Sequence, residues 1–205
     1  MGMSGRRAEA ARNDEAILAA AREVFVADPD APVSEVVERA GVGISSLYRR
    51  YRSKEDLLRK LCGDGLQLYI DIAQDAVDDE GDPWEAFASF MARIVEAEVH
   101  ALTRSLAGRF TPTAELGRAA RLADELNERI VARAQAAGAL RDDVRPDDLT
   151  YVLEQIASLH GPTAERTAQL RARFLTIQLD GLRAPARTPL PGPAPTTAEQ
   201  HARWG

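Results

Sequence analysis

The sequence predicts an all-α protein. Aromatic residues make up only 5% of the 205 residues, alanine is abundant, and apolar residues recur at three- and four-residue spacing along most of the chain. This composition and this spacing favour amphipathic helices. The first helix begins near Asn13, where the carboxylate of Asp14 suits the positive end of the helix dipole, and it places Ile17, Val24 and Phe25 on one face.

Two short helices joined by a tight turn follow. Pro32 suits the first position of the second helix, because a proline lacks the N–H group that would be unpaired there. The third helix, "ISSLYRRY", is too short to be stable alone. Leu47 and Tyr51 are four residues apart and should face the neighbouring helices, which turns Tyr48 and the arginines toward solvent or a partner.

Five longer helices are predicted beyond this point. Ser53 should cap a fourth helix that continues to about residue 77, and Asp82 with Pro83 should open a fifth that reaches about Leu106. Apolar periodicity indicates three more helices, within residues 113–138, 146–160 and 163–184.

Bulk properties exclude several classes of protein. No apolar run approaches the roughly 18 to 20 residues that cross a bilayer, and the start of the chain lacks the apolar core of a signal peptide. We therefore expect a cytoplasmic protein with no membrane partner. Cys62 is the only cysteine, which excludes an intramolecular disulfide. The net charge is -6, but residues 1–60 hold 11 basic and 10 acidic residues, so this part repels a polyanion less than the rest does.

The segment from Tyr48 to Arg52 has chemistry suited to DNA. It holds three arginines and two tyrosines within five residues, directly after the glycine-flanked turn. Hydroxyl groups bond phosphate oxygens, arginine forks onto phosphate or guanine, and a short helix fits the major groove. The sequence therefore predicts a three-helix helix-turn-helix DNA-binding domain over residues 13–60. The other predicted parts are a flexible start (1–12), a larger helical-bundle domain (61–183) and a proline-rich disordered tail (184–205).

A set of residues spread over the first four helices forms a recognisable motif. They are Phe25, then Val36, Ala40, Gly41 and Val42, then Leu47, Tyr48 and Tyr51, and finally Ser53, Lys54 and Glu55. This pattern resembles the N-terminal domain of the TetR family of bacterial transcription regulators. Four positions depart from the family pattern: Pro32 replaces threonine, Val37 replaces alanine, Gly43 replaces serine and Arg50 replaces histidine. The second helix thus lacks one expected phosphate-binding hydroxyl, for which Ser34 is a candidate substitute.

The resemblance implies which residues contact DNA. Tyr48 and Lys54 match phosphate-contacting positions, although packing under the third helix and an ordinary surface lysine are the alternatives for them. Ser45, Ser46 and Arg49 match base-edge or phosphate positions. The full set of candidates is Ser34, Gly43, Ser45, Ser46, Tyr48, Arg49, Arg50, Tyr51 and Lys54.

The last predicted helix has two apolar faces on nearly opposite sides. One face carries Leu170, Phe174 and Ile177. The other, which we assign to a homodimer interface, carries Ala168, Ala172, Leu175, Leu179 and Leu182. One face would pack on the protein's own core and the other on a second copy, as the TetR resemblance also implies. Burial of both faces within one subunit is the alternative.

The fifth helix is the candidate wall of an effector pocket. In the family, the corresponding region lines a cavity for a small molecule, although ordinary core packing explains the same residues. The candidate pocket residues are Trp84, Phe87, Met91, His100, Thr103, Tyr151 and Gln155. Glu96 and His100 could supply only half of a metal site, so we expect no metal and no cofactor. Because no catalytic motif is present, we expect no catalytic residue and no enzyme.

Taken together, the resemblance implies a homodimeric, ligand-responsive transcription regulator. It would be a repressor that binds double-stranded DNA at an inverted-repeat operator and is released by a small-molecule effector. The larger domain would then serve regulation and dimerisation. The alternatives are a helical small-molecule-binding or protein-interaction module without operator recognition, and an all-helical enzyme.

Overall fold

The helical class is confirmed. The computed structural model describes residues 2–99, 102, 106, 108–186, 188–196, 198–199 and 202. Within these residues the only β-type pairing is an isolated bridge between Leu140 and Arg183. The named helices are α1 (Gly2–Ala27), α2 (Val33–Ala40), α3 (Ile44–Arg50), α4 (Lys54–Asp78), α5 (Pro83–Glu96), α6 (Ala114–Ala136), α7 (Pro146–Ala157) and α8 (Ala164–Leu182). None of the helices in the described residues is both long and apolar enough to cross a bilayer.

The chain forms two compact units. The first comprises Met1–Asp64 and Leu102–Pro112, and the second comprises Gly65–Ala101 and Thr113–Gly205. The predicted boundary lies at residue 60, whereas the first unit runs to Asp64 and also includes Leu102–Pro112. The reason is local: the Thr111 N–H donates to Glu55 Oε1 over 3.1 Å, and Arg59 Nε donates to the Thr111 carbonyl over 3.1 Å.

The first unit is a helix-turn-helix built on α1. Helices α1, α2 and α3 pack on one another around a set of almost fully buried side chains, namely Ile17, Ala21, Phe25, Val36, Leu47, Leu57, Leu58 and Leu61. Gly41 ends α2 in the left-handed region with a φ of 66°. A residue with a Cβ would be strained there, so this glycine permits the tight turn into α3. The predicted cap of α4 is also present, since the Asp56 N–H donates to Ser53 Oγ over 3.1 Å.

Helix α1 begins eleven residues earlier than the periodicity indicates. It starts at Gly2 instead of near Asn13. Asp14 is therefore within the helix and does not interact with a positive helix end. The flexibility predicted for residues 1–12 stays a prediction, although residues 2–12 are helical in this structure.

Helix α5 is shorter than predicted. It ends at Glu96 instead of near Leu106, because Ala97 closes it and Glu98 takes the left-handed region with a φ of 54°. Arg171 Nη1 pairs with Glu98 Oε1 at this break. Val99, Leu102 and Leu106 are nevertheless buried, so apolar residues continue at helical spacing past the break. The cap predicted at Asp82 is confirmed, with its carboxylate accepting from the Trp84 and Glu85 N–H groups over 2.9 and 3.0 Å.

The second unit is a bundle around an apolar core. Helix α5 contacts α6, α7 and α8, and α7 contacts α6 and α8. Tyr69 and Phe90 meet edge to face with their ring centroids 5.8 Å apart. The Tyr69 hydroxyl donates to Asn127 Oδ1 over 2.7 Å, which satisfies a buried amide inside the bundle.

Part of the predicted tail is held on the second unit. Arg141 Nη2 donates to the Thr188 carbonyl over 2.7 Å, and the Leu190 N–H donates to Asp143 Oδ2 over 2.9 Å. Arg141 and Asp143 are themselves joined by two hydrogen bonds, which hold the pKa of Asp143 well below its usual range. Ala184, Thr188 and Leu190 therefore have specific contacts, whereas disorder of the tail stays a prediction.

The burial of Cys62 predicts a pH-dependent reactivity. Its side chain is buried, and desolvation raises the pKa of the thiol from its ordinary value of 9.0 to about 12. Because folding raises this pKa, the associated stability is complete below pH 9 and is lost at roughly 1.4 kcal/mol per pH unit as the pH approaches 12. We expect alkylation by iodoacetamide at pH 8.5 to be far slower for the folded protein than for the protein in guanidinium chloride. Equal rates under the two conditions would contradict the buried thiol.

Candidate nucleic-acid interface

Helix α3 presents a polar and aromatic face to solvent. Leu47 is fully buried and anchors the helix on the core, as its spacing predicted. Ser45 and Arg49 are exposed, and Tyr48 keeps 49% of its surface accessible. Since α3 has only seven residues, its position depends on this packing and not on helix propensity. The result is a short, externally supported helix with hydroxyl and guanidinium groups on its outer face.

Three other candidates flank that face. Gly43 precedes α3 in an extended conformation and is exposed, and Ser34 is exposed in the first turn of α2. Ser46 is half-buried, and its hydroxyl accepts a hydrogen bond from Arg49 Nη2 over 3.3 Å. Arg52, which the candidate set omitted, is also exposed directly after α3. Arg52 could have been predicted from the sequence, because it belongs to the same cluster of arginines as Arg49 and Arg50.

Two candidates at the end of α3 have protein partners instead. Tyr51 is only 6% exposed, and its hydroxyl donates to Asp14 Oδ1 over 2.7 Å. Arg50 lies on the surface but forms two hydrogen bonds with the same carboxylate, from Nε to Oδ1 over 3.0 Å and from Nη2 to Oδ2 over 2.8 Å. The burial of Tyr51 agrees with the inward face that it shares with Leu47, and its contact with DNA stays a prediction.

Lys54 likewise has an internal role in this structure. Its ammonium group donates to the carbonyls of Pro29 and Ala31 over 3.0 and 2.7 Å, and it lies 4.9 Å from the centre of the Phe25 ring. These contacts join the start of α4 to the loop that precedes α2. Lys54 could contact a phosphate, as the resemblance implies, only with an ammonium group that already donates hydrogen bonds to two backbone carbonyls.

Comparison with known proteins supplies the family. Residues 82–184 match the family described as "Transcriptional regulator SbtR-like, C-terminal domain", and residues 17–61 match "Bacterial regulatory proteins, tetR family". The protein belongs to the TetR family. TetR proteins are transcription regulators that bind DNA and small-molecule ligands and act as dimers.

Solved structures of TetR proteins share the fold. A TetR transcription regulatory protein from Mycobacterium vanbaalenii is 28% identical with a TM-score of 0.56, and the match covers 87% of this chain and 99% of that one. A TetR regulator from Streptomyces coelicolor is 27% identical with a TM-score of 0.57, covering 84% and 99%. The regulator LfrR from Mycobacterium smegmatis, solved in complex with proflavine, is 20% identical with a TM-score of 0.64, covering 88% and 99%.

The predicted pocket residues that the structure describes lie in different surroundings, and the pocket stays a prediction. Trp84, Phe87 and Met91 are buried in the core of the second unit, while Tyr151 is half-buried. Gln155 is exposed and bonds Gln178 over 3.4 Å. His100 and Thr103 lie outside the described residues.

A small cleft in the second unit has a different lining. Its cavity volume is about 10 Å³, which is about the space of one water molecule. The residues around it are Ile94, Val95, Glu98, Leu153, Ile156, Ala157 and Arg171. Arg171 is buried, and its Nη2 donates to the Ala157 carbonyl over 3.1 Å at the end of α7. Sequence reasoning missed Arg171, because an arginine on a helix usually faces solvent.

The two apolar faces of α8 differ in their accessibility within the subunit, and which of them forms the dimer interface stays a prediction. Leu175 and Leu182 are buried in the core of their own subunit and Leu179 packs against that core, while Ala168 and Ala172 are exposed. The larger apolar side chains of the predicted dimer face thus pack in the core of their own subunit. The opposite stripe is the accessible one, with Phe174 41% and Ile177 55% exposed.

Proposed function

We propose that this TetR protein is a homodimeric repressor that binds an inverted-repeat operator in the cytoplasm and is released by a small-molecule effector. The observation that carries the proposal is the outer face of α3. It combines Ser45, Tyr48 and Arg49 in exposed positions on a helix anchored by Leu47. Hydroxyl and guanidinium groups on a short supported helix suit a major groove.

The accessible face of α8 supports a dimer. Leu170, Phe174, Ile177 and Gly181 recur at the spacing of one helix face, and the two middle side chains are exposed in the single subunit. A Cβ added to Gly181 would meet nothing within 4 Å, so this glycine leaves room for a second chain to approach. We propose this stripe as the face that meets its counterpart in the second copy.

The effector would bind among the helices of the second unit. A ligand that fits only one arrangement of the dimer would shift the population away from the DNA-binding form. Helix α4 is suited to carry such a change, because its residues belong to both units.

Selection of DNA from a random library by the purified protein tests the function. We expect enrichment of an inverted repeat, and we expect the affinity for the best fragment to fall steeply as salt rises from 50 to 200 mM, because released counterions drive binding. Weak binding that is equal for all fragments would contradict operator recognition. That outcome would favour the alternative of a ligand-binding or interaction module.

A further inference from the structure

The contact between Asp14 and the end of α3 joins residues far apart in the sequence. Asp14 lies on α1, and its two carboxylate oxygens accept three hydrogen bonds from the consecutive residues Arg50 and Tyr51. The carboxylate side chain is only 14% exposed, while that of Arg50 is 62% exposed. A partly buried acid on α1 thus pairs with a surface cation at the end of α3.

Tyr51 fixes the position of this acid. Its hydroxyl donates to Asp14, and its backbone N–H donates to the Leu47 carbonyl over 2.8 Å, which closes the last turn of α3. Burial, together with the bond to Asp14, raises the pKa of the Tyr51 hydroxyl above its ordinary value. Tyr51 therefore remains a donor at neutral pH and holds the carboxylate where Arg50 meets it.

Arg50 differs from the neighbouring Arg49 because its guanidinium forms two hydrogen bonds with one carboxylate. Parallel hydrogen bonds from a guanidinium to a carboxylate are stronger and more directional than a single contact between exposed charges. Arg49 has a single bond to a neutral hydroxyl at 3.3 Å instead. A phosphate that approached the Nε and Nη2 edge of Arg50 would have to displace a carboxylate, whereas at Arg49 it competes only with a neutral hydroxyl.

We infer that Asp14 is a positioning residue of the DNA-reading surface, which holds Arg50 away from phosphate and so lowers sequence-independent affinity for DNA. The inference rests on the proposed function, because it requires that α3 reads DNA. Phosphate contacts add affinity for any sequence, whereas base contacts discriminate. Neutralising the arginine at the end of the reading helix therefore favours the operator over other DNA.

The test measures the salt dependence of binding to mixed-sequence duplex DNA. Asp14→Asn keeps an oxygen that can accept from Tyr51 but removes the charge that holds Arg50. We expect tighter binding, with a slope of log affinity against log salt that is steeper by about 0.9 per protomer. The ratio of affinities for the library-selected fragment and for mixed DNA should fall. Asp75→Asn is the matched control, because it removes one acidic charge and frees Arg93 in the second unit, and it should leave the slope unchanged.

A double variant keeps the inference testable if Asp14→Asn folds poorly. The double variant Asp14→Asn with Arg50→Gln replaces an ion pair, whose two charges cancel, with two uncharged side chains. The slope of log affinity against log salt should therefore equal that of the wild type. A double variant shallower than the wild type by about 0.9 per protomer would show that Arg50 already binds phosphate, and would overturn the inference. A slope for Asp14→Asn equal to that of the wild type would also overturn it. Failure of the proposed function looks different, since the unaltered protein would then select no fragment.

Discussion

Replacing Tyr48 and Arg49 together with alanine is expected to abolish operator binding without unfolding the protein. Both side chains lie on the exposed outer face of α3, and Tyr48 keeps 49% of its surface accessible. Substitutions at such positions usually change stability by less than about 0.5 kcal/mol. An arginine that contacts a base contributes about 1–3 kcal/mol, and a dimer carries two copies of it. The arginine alone should therefore cost about 2–6 kcal/mol of binding free energy.

Titration of the library-selected fragment against both proteins measures this loss. Arg129→Ala is the control, because it removes an exposed arginine from the second unit. The control should bind like the wild type, apart from a small effect of net charge. Affinity of the double variant within threefold of the wild type would mean that another surface reads the DNA. Unchanged thermal unfolding of both variants would show that the difference lies in recognition.

Replacing Phe174 and Ile177 together with glutamate is expected to convert the dimer to a monomer. The two side chains are 41% and 55% exposed in the single subunit, so charges there should not disturb its core. In a dimer the four new carboxylates would be buried next to one another, and burying unpaired charge is strongly unfavourable. A monomer reads one half-site at a time, so affinity for the inverted repeat should fall by about 100- to 10,000-fold.

Sedimentation or light scattering gives the mass directly. Leu122→Glu is the control, because Leu122 is 42% exposed on α6 and its replacement adds one of the same carboxylates to another surface. The control should remain dimeric. A dimeric mass for the double variant would exclude this stripe as the interface. Leu175→Glu would not serve as a test, since that leucine is 4% exposed in the core and its replacement would unfold the subunit.

Local patterns predicted most of the helices and the anchoring of α3. Leu47 and Tyr51 were assigned to the inner face by their spacing alone, and both are buried. The spacing succeeds because an amphipathic helix must bury its apolar side wherever its neighbours lie. The caps at Ser53 and Asp82 were predicted for a similar reason, since they depend on residues within one turn.

Interactions between distant residues explain what the sequence did not predict. The pair of Asp14 and Arg50 spans 36 positions, and nothing in either neighbourhood specifies the other. The break after Glu96 involves neither glycine nor proline, and the apolar spacing runs through it. On α8, both stripes were apolar enough to be buried, so the choice between them depended on where α5 and α7 pack.

The contacts of Arg141 and Asp143 have a consequence for the length of the protein. Proline-rich composition suggests that the chain can be shortened at residue 183, but that cut would remove the Thr188 carbonyl and the Leu190 N–H that satisfy this pair. Leu190 is therefore the earliest sensible end point for a truncated version. Among natural relatives, insertions, deletions and added extensions should be tolerated after this residue and selected against between residues 184 and 190.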